Sequence, residues 1–177
     1  MFSLKKMNHE LLQATQDVWD SQLQGLSDDV DLPSSRYEQV LDYARKYVAP
    51  GDNGNQIIYG VVEEGKDYSA AILDMANARR SRDPSLKLLN IYLQPQFSIE
   101  SFDKVSSTLL REVNEVLTVA LTESVRAAFR DHGLRKLKVY GRTGEMLGFF
   151  DQIIANLDSK EIGLEIYKQG AWLVFDR

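Results

Sequence analysis

The residues able to do chemistry in this chain are few and scattered. There are two histidines, His9 and His132, and no cysteine. Thiolate nucleophiles, disulfides and Cys-based zinc sites are thereby excluded. His9 falls in the first turn of a predicted helix. His132 falls at a helix C-terminus, where an imidazolium suits the dipole. A structural or surface role accounts for both. No His/Asp/Glu grouping has metal-ligand spacing, and no G-x-S-x-G nucleophile motif occurs.

Other polar groupings each carry a chemical and a plainer reading. Gly141-Arg142-Thr143-Gly144 has the composition of a small phosphate loop but lacks the P-loop lysine and spacing. A turn followed by a helix cap explains it better. Arg79, Arg80 and Arg82 cluster near a turn. They suit an anion, but such a run is more often a solvated loop. Asp28, Asp29 and Asp31 would attract a cationic amine or a basic partner, and again an exposed loop is the plainer reading.

The elements that must position these groups follow from composition and periodicity. The chain has 177 residues, 44% hydrophobic and 27% charged, which fits one globular domain over residues 1–177. The net charge of -5 disfavours nucleic-acid binding through phosphates. The opening MFSLKKMNHELL has no apolar run of signal-peptide length, and no stretch nears the ~18 apolar residues of a membrane span. A cytoplasmic, soluble protein with no membrane contact is expected.

Phe2 to Lys6 reads as a short first strand, and Asn8 as the N-cap of a helix carrying Leu11, Leu12, Val18, Trp19 and Leu23. Gly25 and residues 27–31 end it. Ser35 and Glu38 have capping-box spacing for a second helix with Tyr37, Val40, Leu41, Ala44, Tyr47 and Val48 on one face. Strands are predicted over 56–63, 68–75 and 86–93, the first two joined by a hairpin turn at 64–67. The last is a near-continuous apolar run, as expected of a strand covered on both faces.

Residues 101–132 read as helix, capped by Ser98 or Ser101 and closed by Gly133. At about 48 Å that helix is long, and a break or bend near 118–122, giving two helices end to end, is expected. The tail alternates: a strand over 137–140, a helix capped by Thr143 with Met146, Phe150, Ile153, Ile154 and Leu157 buried, then strands over 164–168 and 172–175 turning at Gln169-Gly170. Leu110, Leu117 and Leu121 broaden the apolar face of the long helix, to cover the sheet or to form a homodimer seam. The fold class is α+β, a mixed sheet with helices on its faces.

That order resembles the GNAT family of N-acetyltransferases over nearly the whole chain. Residues 126–153 (RAAFRDHGLRKLKVYGRTGEMLGFFDQI) look like the family's helix-Gly-strand-helix passage, and residues 163–177 (GLEIYKQGAWLVFDR) like its closing strands. The resemblance implies a GNAT-like, mostly antiparallel twisted sheet. It implies acetyl-CoA as cofactor, held along the strand 86–93, with Leu93, Gln94, Ser98 and Ser101 at the cofactor. It also implies a substrate cleft beside the strand that Glu63 and Glu64 close, where a carboxylate can act as base toward an amine. A solvated hairpin end is the plainer reading of that pair.

Two departures bear on function. The family's glycine-rich pyrophosphate loop corresponds here to Gln94-Pro95-Gln96-Phe97-Ser98-Ile99-Glu100-Ser101, which has no glycine and places Glu100 where phosphate would sit. The family's tyrosine acid corresponds to Leu147-Gly148-Phe149-Phe150, and phenylalanine donates no proton. Tyr140, Tyr92 or water would have to substitute. Two readings stand: an acyl-CoA-dependent N-acyltransferase acting on a small-molecule or protein amine, and a GNAT-like module without catalysis that works through protein partners.

Overall fold

The structure, a computed structural model, describes residues 1–26, 34–48, 55–97, 106–156 and 163–177. The chain order is β1 (Phe2–Lys6), α1 (His9–Leu26), α2 (Ser34–Val48), β2 (Gln56–Glu63), β3 (Ser69–Asn77) and β4 (Leu86–Leu93). A 3-10 turn (Pro95–Phe97), α3 (Ser107–Arg126) and a π-helical turn (Ala127–Asp131) follow. The chain closes with β5 (Lys136–Tyr140), α4 (Gly144–Asn156), β6 (Glu165–Gln169) and β7 (Trp172–Asp176). The strands form one sheet in the order β1-β2-β3-β4-β5-β7-β6. β4 and β5 run parallel, while β1–β2, β5–β7 and β6–β7 are antiparallel. This is the mixed α+β architecture that the sequence predicts. Packing divides the chain into two compact units, Met1–Asp74 with Ile91–Glu123, and Met75–Asn90 with Ser124–Arg177.

In the first unit the Asn8 side chain accepts from Leu11 N–H at 2.8 Å and starts α1 as expected. The apolar faces of α1 and α2 meet the sheet through Met7, Leu12, Trp19, Tyr37, Val40, Leu41, Ala44, Ile58 and Ile72. Trp19 is fully buried, edge-on to Tyr37 at 5.8 Å. Its indole N–H donates to the Ser69 carbonyl at 2.9 Å. One turn earlier, the Thr15 hydroxyl accepts from Ser69 N–H at 3.0 Å and donates to the Leu11 carbonyl at 2.6 Å. Two α1 side chains thus serve both backbone groups of the first β3 residue. On β2, a Cβ at Gly60 would lie 2.1 Å from Ser69 Oγ, so a side chain there would force Ser69 to shift.

The long helix differs from expectation. Ser98 and Ser101 lie outside the described residues. Ser106 caps α3, its hydroxyl accepting from Leu109 N–H at 3.1 Å. α3 runs without a break through 118–122, where the Thr122 hydroxyl donates back to the Thr118 carbonyl at 2.8 Å. The irregularity comes later: His132 N–H reaches the Ala127 carbonyl, a five-residue step that widens the last turn and buries Ala127 and Ala128. Val116 and Ala120 are buried, and Leu110 is exposed.

In the second unit Gly133 takes φ +60 at the helix end, as predicted from its position. The Arg79 guanidinium donates to the His132 carbonyl there, so this arginine closes a helix terminus. Leu137, Val139, Leu173 and Phe175 form a buried face of β5 and β7. α4 lies on that face, because a Cβ at Gly141 would come 2.7 Å from Leu147 Cδ2 and Phe150 Cε2. Phe150 is buried and Ile153 and Ile154 are half-buried, while Met146 and Leu157 fall outside the described side chains. Gly170, at φ +61, turns the β6–β7 hairpin.

The β3–β4 loop is tied to β5 by charge. Asp83 accepts from Lys138 Nζ at 2.6 Å and from Lys136 Nζ at 3.1 Å, and Lys136 also meets Asp176 at 3.2 Å. Lys138 is buried and donates further to Gln169 at 2.7 Å. Hydrogen bonds from Lys138, then Lys136, hold the Asp83 carboxyl below its ordinary 3.8.

Trp19→Phe keeps an apolar ring and removes the only donor reaching the Ser69 carbonyl from α1. It should cost about 1–3 kcal/mol in urea unfolding, the usual scale for losing a buried hydrogen bond. Gly60→Ala should cost a similar amount through overpacking, about 1–3 kcal/mol. Adding Ser69→Ala should recover part of it, because Ser69 Oγ has no partner among the described residues; additive costs would contradict the contact.

Asp83→Asn tests the loop tie. A carboxyl whose folded pKa is depressed contributes stability above its unfolded pKa and loses it as pH falls through the folded value. The variant should be about 1 kcal/mol less stable at neutral pH, since one partner is open to solvent. The gap to the parent should close as pH drops below 3.8. A gap that stays constant as pH is taken well below 3.8 would show that the ion pair does not cause it.

Candidate functional site

β4 sets the geometry. Its parallel register with β5 covers Leu86↔Leu137, Lys87↔Lys138 and Leu88↔Val139. β4 itself continues to Leu93, so residues 89–93 run on past that ladder. Only Leu86 and Leu88 are buried; the rest of the strand is half-buried. The sequence expectation of a strand covered along its whole length is therefore corrected: a strand that has left one neighbour keeps less cover.

The corner after β4 is internally satisfied. Gln94 N–H donates to the Ala70 carbonyl at 2.9 Å, and the Gln94 carbonyl accepts from Phe97 N–H at 2.9 Å. The Gln94 side chain is buried, its Oε1 accepting from Gln22 of α1 at 3.4 Å. Gln22 Oε1 in turn accepts from Gln96 N–H at 3.4 Å. Pro95 has no N–H. Every backbone donor from Gln94 to Phe97 is thus engaged within the chain or missing. None of the four points an unused N–H outward, which is what a phosphate-binding nest requires.

A second polar grouping sits on α2, β2 and β3. Gln56 Nε2 donates to Tyr43 Oη at 2.8 Å and lies 3.4 Å from Asp74 Oδ1, and Tyr43 Oη donates to Asp74 Oδ1 at 3.2 Å. Asp74 is buried. Burial, with Asp74 beside it, pushes the Tyr43 phenol up to about 12. Tyr43 therefore remains a donor near neutral pH and is a poor proton source. The grouping orients the Asp74 carboxylate.

The other sequence-level candidates scatter. Glu63 is exposed and pairs with Phe2 of β1. It sits at the far end of β2 from Gln56, about 23 Å away at strand rise. Tyr92 packs against the α1–α2 core. Tyr140 is exposed beside Trp172, ring centroids 4.9 Å apart. Leu93 is half-buried at the end of β4. Thr143 starts α4 through its carbonyl, which accepts from Leu147 N–H at 3.1 Å. Asp28, Asp29, Asp31, Ser98, Glu100 and Ser101 lie outside the described residues, as does the Phe149 side chain. The Tyr43–Gln56–Asp74 grouping escapes sequence reasoning because its members come from three elements; a buried acid inside the strand run around Asp74 is the one local signal.

No described helix is long and apolar enough to cross a membrane. No group of three His, Asp or Glu among the described residues could hold a metal ion.

No protein-family model and no curated protein sequence matches the chain. Solved structures do. A proposed ribosomal-protein-serine acetyltransferase from Vibrio cholerae is 12% identical, with 99% of this chain and 92% of that one covered and a TM-score of 0.51. A GNAT-family acetyltransferase, also so proposed, from Desulfovibrio desulfuricans is 13% identical over 99% and 97% of the chains, at a TM-score of 0.40. The PaiA N-acetyltransferase from Thermoplasma acidophilum, in complex with coenzyme A, is 13% identical over 100% and 98%, at 0.37. At such identity the likeness bears on the fold alone, and the strand order and the short β4–β5 ladder agree with it: the chain carries a divergent GNAT fold.

Proposed function

We propose that residues 1–177 work as one acyl-CoA-dependent N-acyltransferase domain in the cytoplasm. The observation that supports this most is β4 running on past its ladder with β5. A strand edge so presented suits the amide groups of a pantetheine arm, which pair with backbone as another strand would. Leu93 and the Gln94 side chain lie where that arm would reach the corner, and Ser98 and Ser101 follow in sequence. Acetyl-CoA would supply the activated acyl group: the amine nitrogen would bond to the thioester carbon and lose a proton, the carbon–sulfur bond would break, and the departing thiolate would take up a proton in turn. The chain's own part is to align the arm and exclude water from the reacting carbon.

The residues fit the two ends of the cofactor unequally. The strand edge suits pantetheine. The corner Gln94–Phe97 does not suit pyrophosphate, since its donors are already used. That second observation favours a non-catalytic GNAT-like module acting through protein partners, and it is the rival reading.

Titrating the chain with acetyl-CoA while following thermal unfolding separates the two. A ligand that binds only the folded state adds about 2.7 kcal/mol at a hundred times its dissociation constant. A saturable rise in midpoint is the expected outcome, followed by acyl transfer to amines in a screen. A flat response at millimolar acetyl-CoA leaves the module reading in possession, and partner capture becomes the next step.

A further inference from the structure

The second unit gathers arginines at one end. Arg79, Arg80 and Arg82 lie on the β3–β4 loop, Arg130 lies in the π-helical turn, and all four are exposed. The fold brings these two segments together. Arg79 Nη2 donates to the His132 carbonyl, and Asn77 Nδ2 lies 3.4 Å from His132 Nδ1. Arg80 adjoins Arg79, and Arg130 stands two residues before His132. Asp83, next to Arg82, ties the same loop to β5 through Lys136 and Lys138. A solvated loop accounts for three arginines close in sequence. The fourth comes from an element far along the chain and meets them only in the fold.

The loop is braced from within. Ala78 N–H donates to the Ser85 carbonyl at 2.9 Å and closes it. The Ser81 hydroxyl lies 2.7 Å from the Ala78 carbonyl and 2.8 Å from that of Asp83. Arg79 N–H donates to the Asn77 side chain at 3.1 Å. A partner therefore meets these arginines without first ordering the loop, which removes one cost of association. Of the acids at this end, Asp83 is held by Lys136 and Lys138, and Asp176 by Lys136. Asp131 and Glu165 are exposed there as well, and are outnumbered by the arginines. Positive charge thus collects at one place in a chain whose net charge is -5.

We propose that Arg79, Arg80, Arg82 and Arg130 form a docking surface for an acidic peptide segment of a partner protein. Guanidinium forks take carboxylates in a bidentate way, and the side chains of a short Asp- or Glu-rich segment meet several of them at once. A nucleic acid is the poorer match. Its affinity grows with the number of phosphates neutralised, and beyond this patch the chain is acidic. The surface stands apart from the acyl-CoA reading, and its test contains no acetyl-CoA.

Fluorescence anisotropy of a labelled oligo-glutamate peptide, titrated with the full chain at low and at high salt, tests the surface. Binding should saturate at low salt and weaken about tenfold or more at high salt, because exposed charge pairs are screened. Arg80→Gln combined with Arg82→Gln should cost about tenfold at low salt, the worth of two exposed charge contacts. Lys5→Gln combined with Lys66→Gln removes equal charge from exposed positions of the first unit and should leave affinity within about twofold. Arg80→Lys with Arg82→Lys should fall between parent and glutamine pair, since lysine keeps the charge without the fork. Matching thermal midpoints would show that the glutamine pair is folded. Equal losses in the two glutamine pairs, tighter binding of an oligo-uridine of matched length, or no peptide binding at low salt would overturn the proposal.

Discussion

The pairing of Ser69 with α1 is the contact on which the first unit depends. A buried peptide group must find partners or cost the unit free energy. At Ser69 the partners are side chains: Thr15 takes the N–H and Trp19 serves the carbonyl. α1 is therefore fixed to β3 at one residue in position and in rotation. Tyr37 meets the edge of Trp19, so α2 follows α1. Gly60 completes the arrangement, since a side chain on β2 at that point would displace Ser69. The next residue of β3, Ala70, accepts from Gln94 N–H, so the same strand end also fixes the corner after β4.

That corner is where the fold and its expected chemistry diverge. A phosphate site at a helix N-terminus works by leaving backbone donors unspent until the anion arrives. Here they are spent in advance: Ala70 and Gln22 hold Gln94 and Gln96, and the proline removes another donor. A glycine-free loop can thus be rigid and well formed, yet poor at receiving phosphate. β4 runs on past its ladder with β5, and the described donors of the corner beside it are already used.

The second unit is organised by a different force. Lys138 is buried, and a buried cation needs a paired anion. Asp83 supplies it from the β3–β4 loop, which makes that loop part of the sheet's polar face. The opposite face is apolar and carries α4, which approaches so closely that a Cβ at 141 would force Leu147 and Phe150 to shift. The other side of the same strands carries Lys136, Lys138, Tyr140 and Trp172 around a fully buried Val174, and the alternation of β5 and β7 separates the two sets.

Local chemistry was legible in the sequence. Asn8 as a cap, Gly133 as a helix end, the β-branched run of β2, the apolar run of β4 and the helical stripe of α2 each depend on neighbours a few residues away. So did the order of elements, and with it the GNAT resemblance and the missing glycines. Sequence periodicity also placed the long helix, but not its true start at Ser107 or its π-turn at Ala127, because hydrogen-bond step is set by what the last turn packs against. The pairings that define the sites lay beyond reach. Trp19 finds Ser69, Gln22 finds Gln94, Asp83 finds Lys138 and Lys87 finds Trp172 only once strands are in register. The sequence by itself determined which segments become strands and helices, since that follows from local spacing and propensity. Tertiary structure decided which donors are already used and which charges are paired, since both are set by residues far apart in the chain.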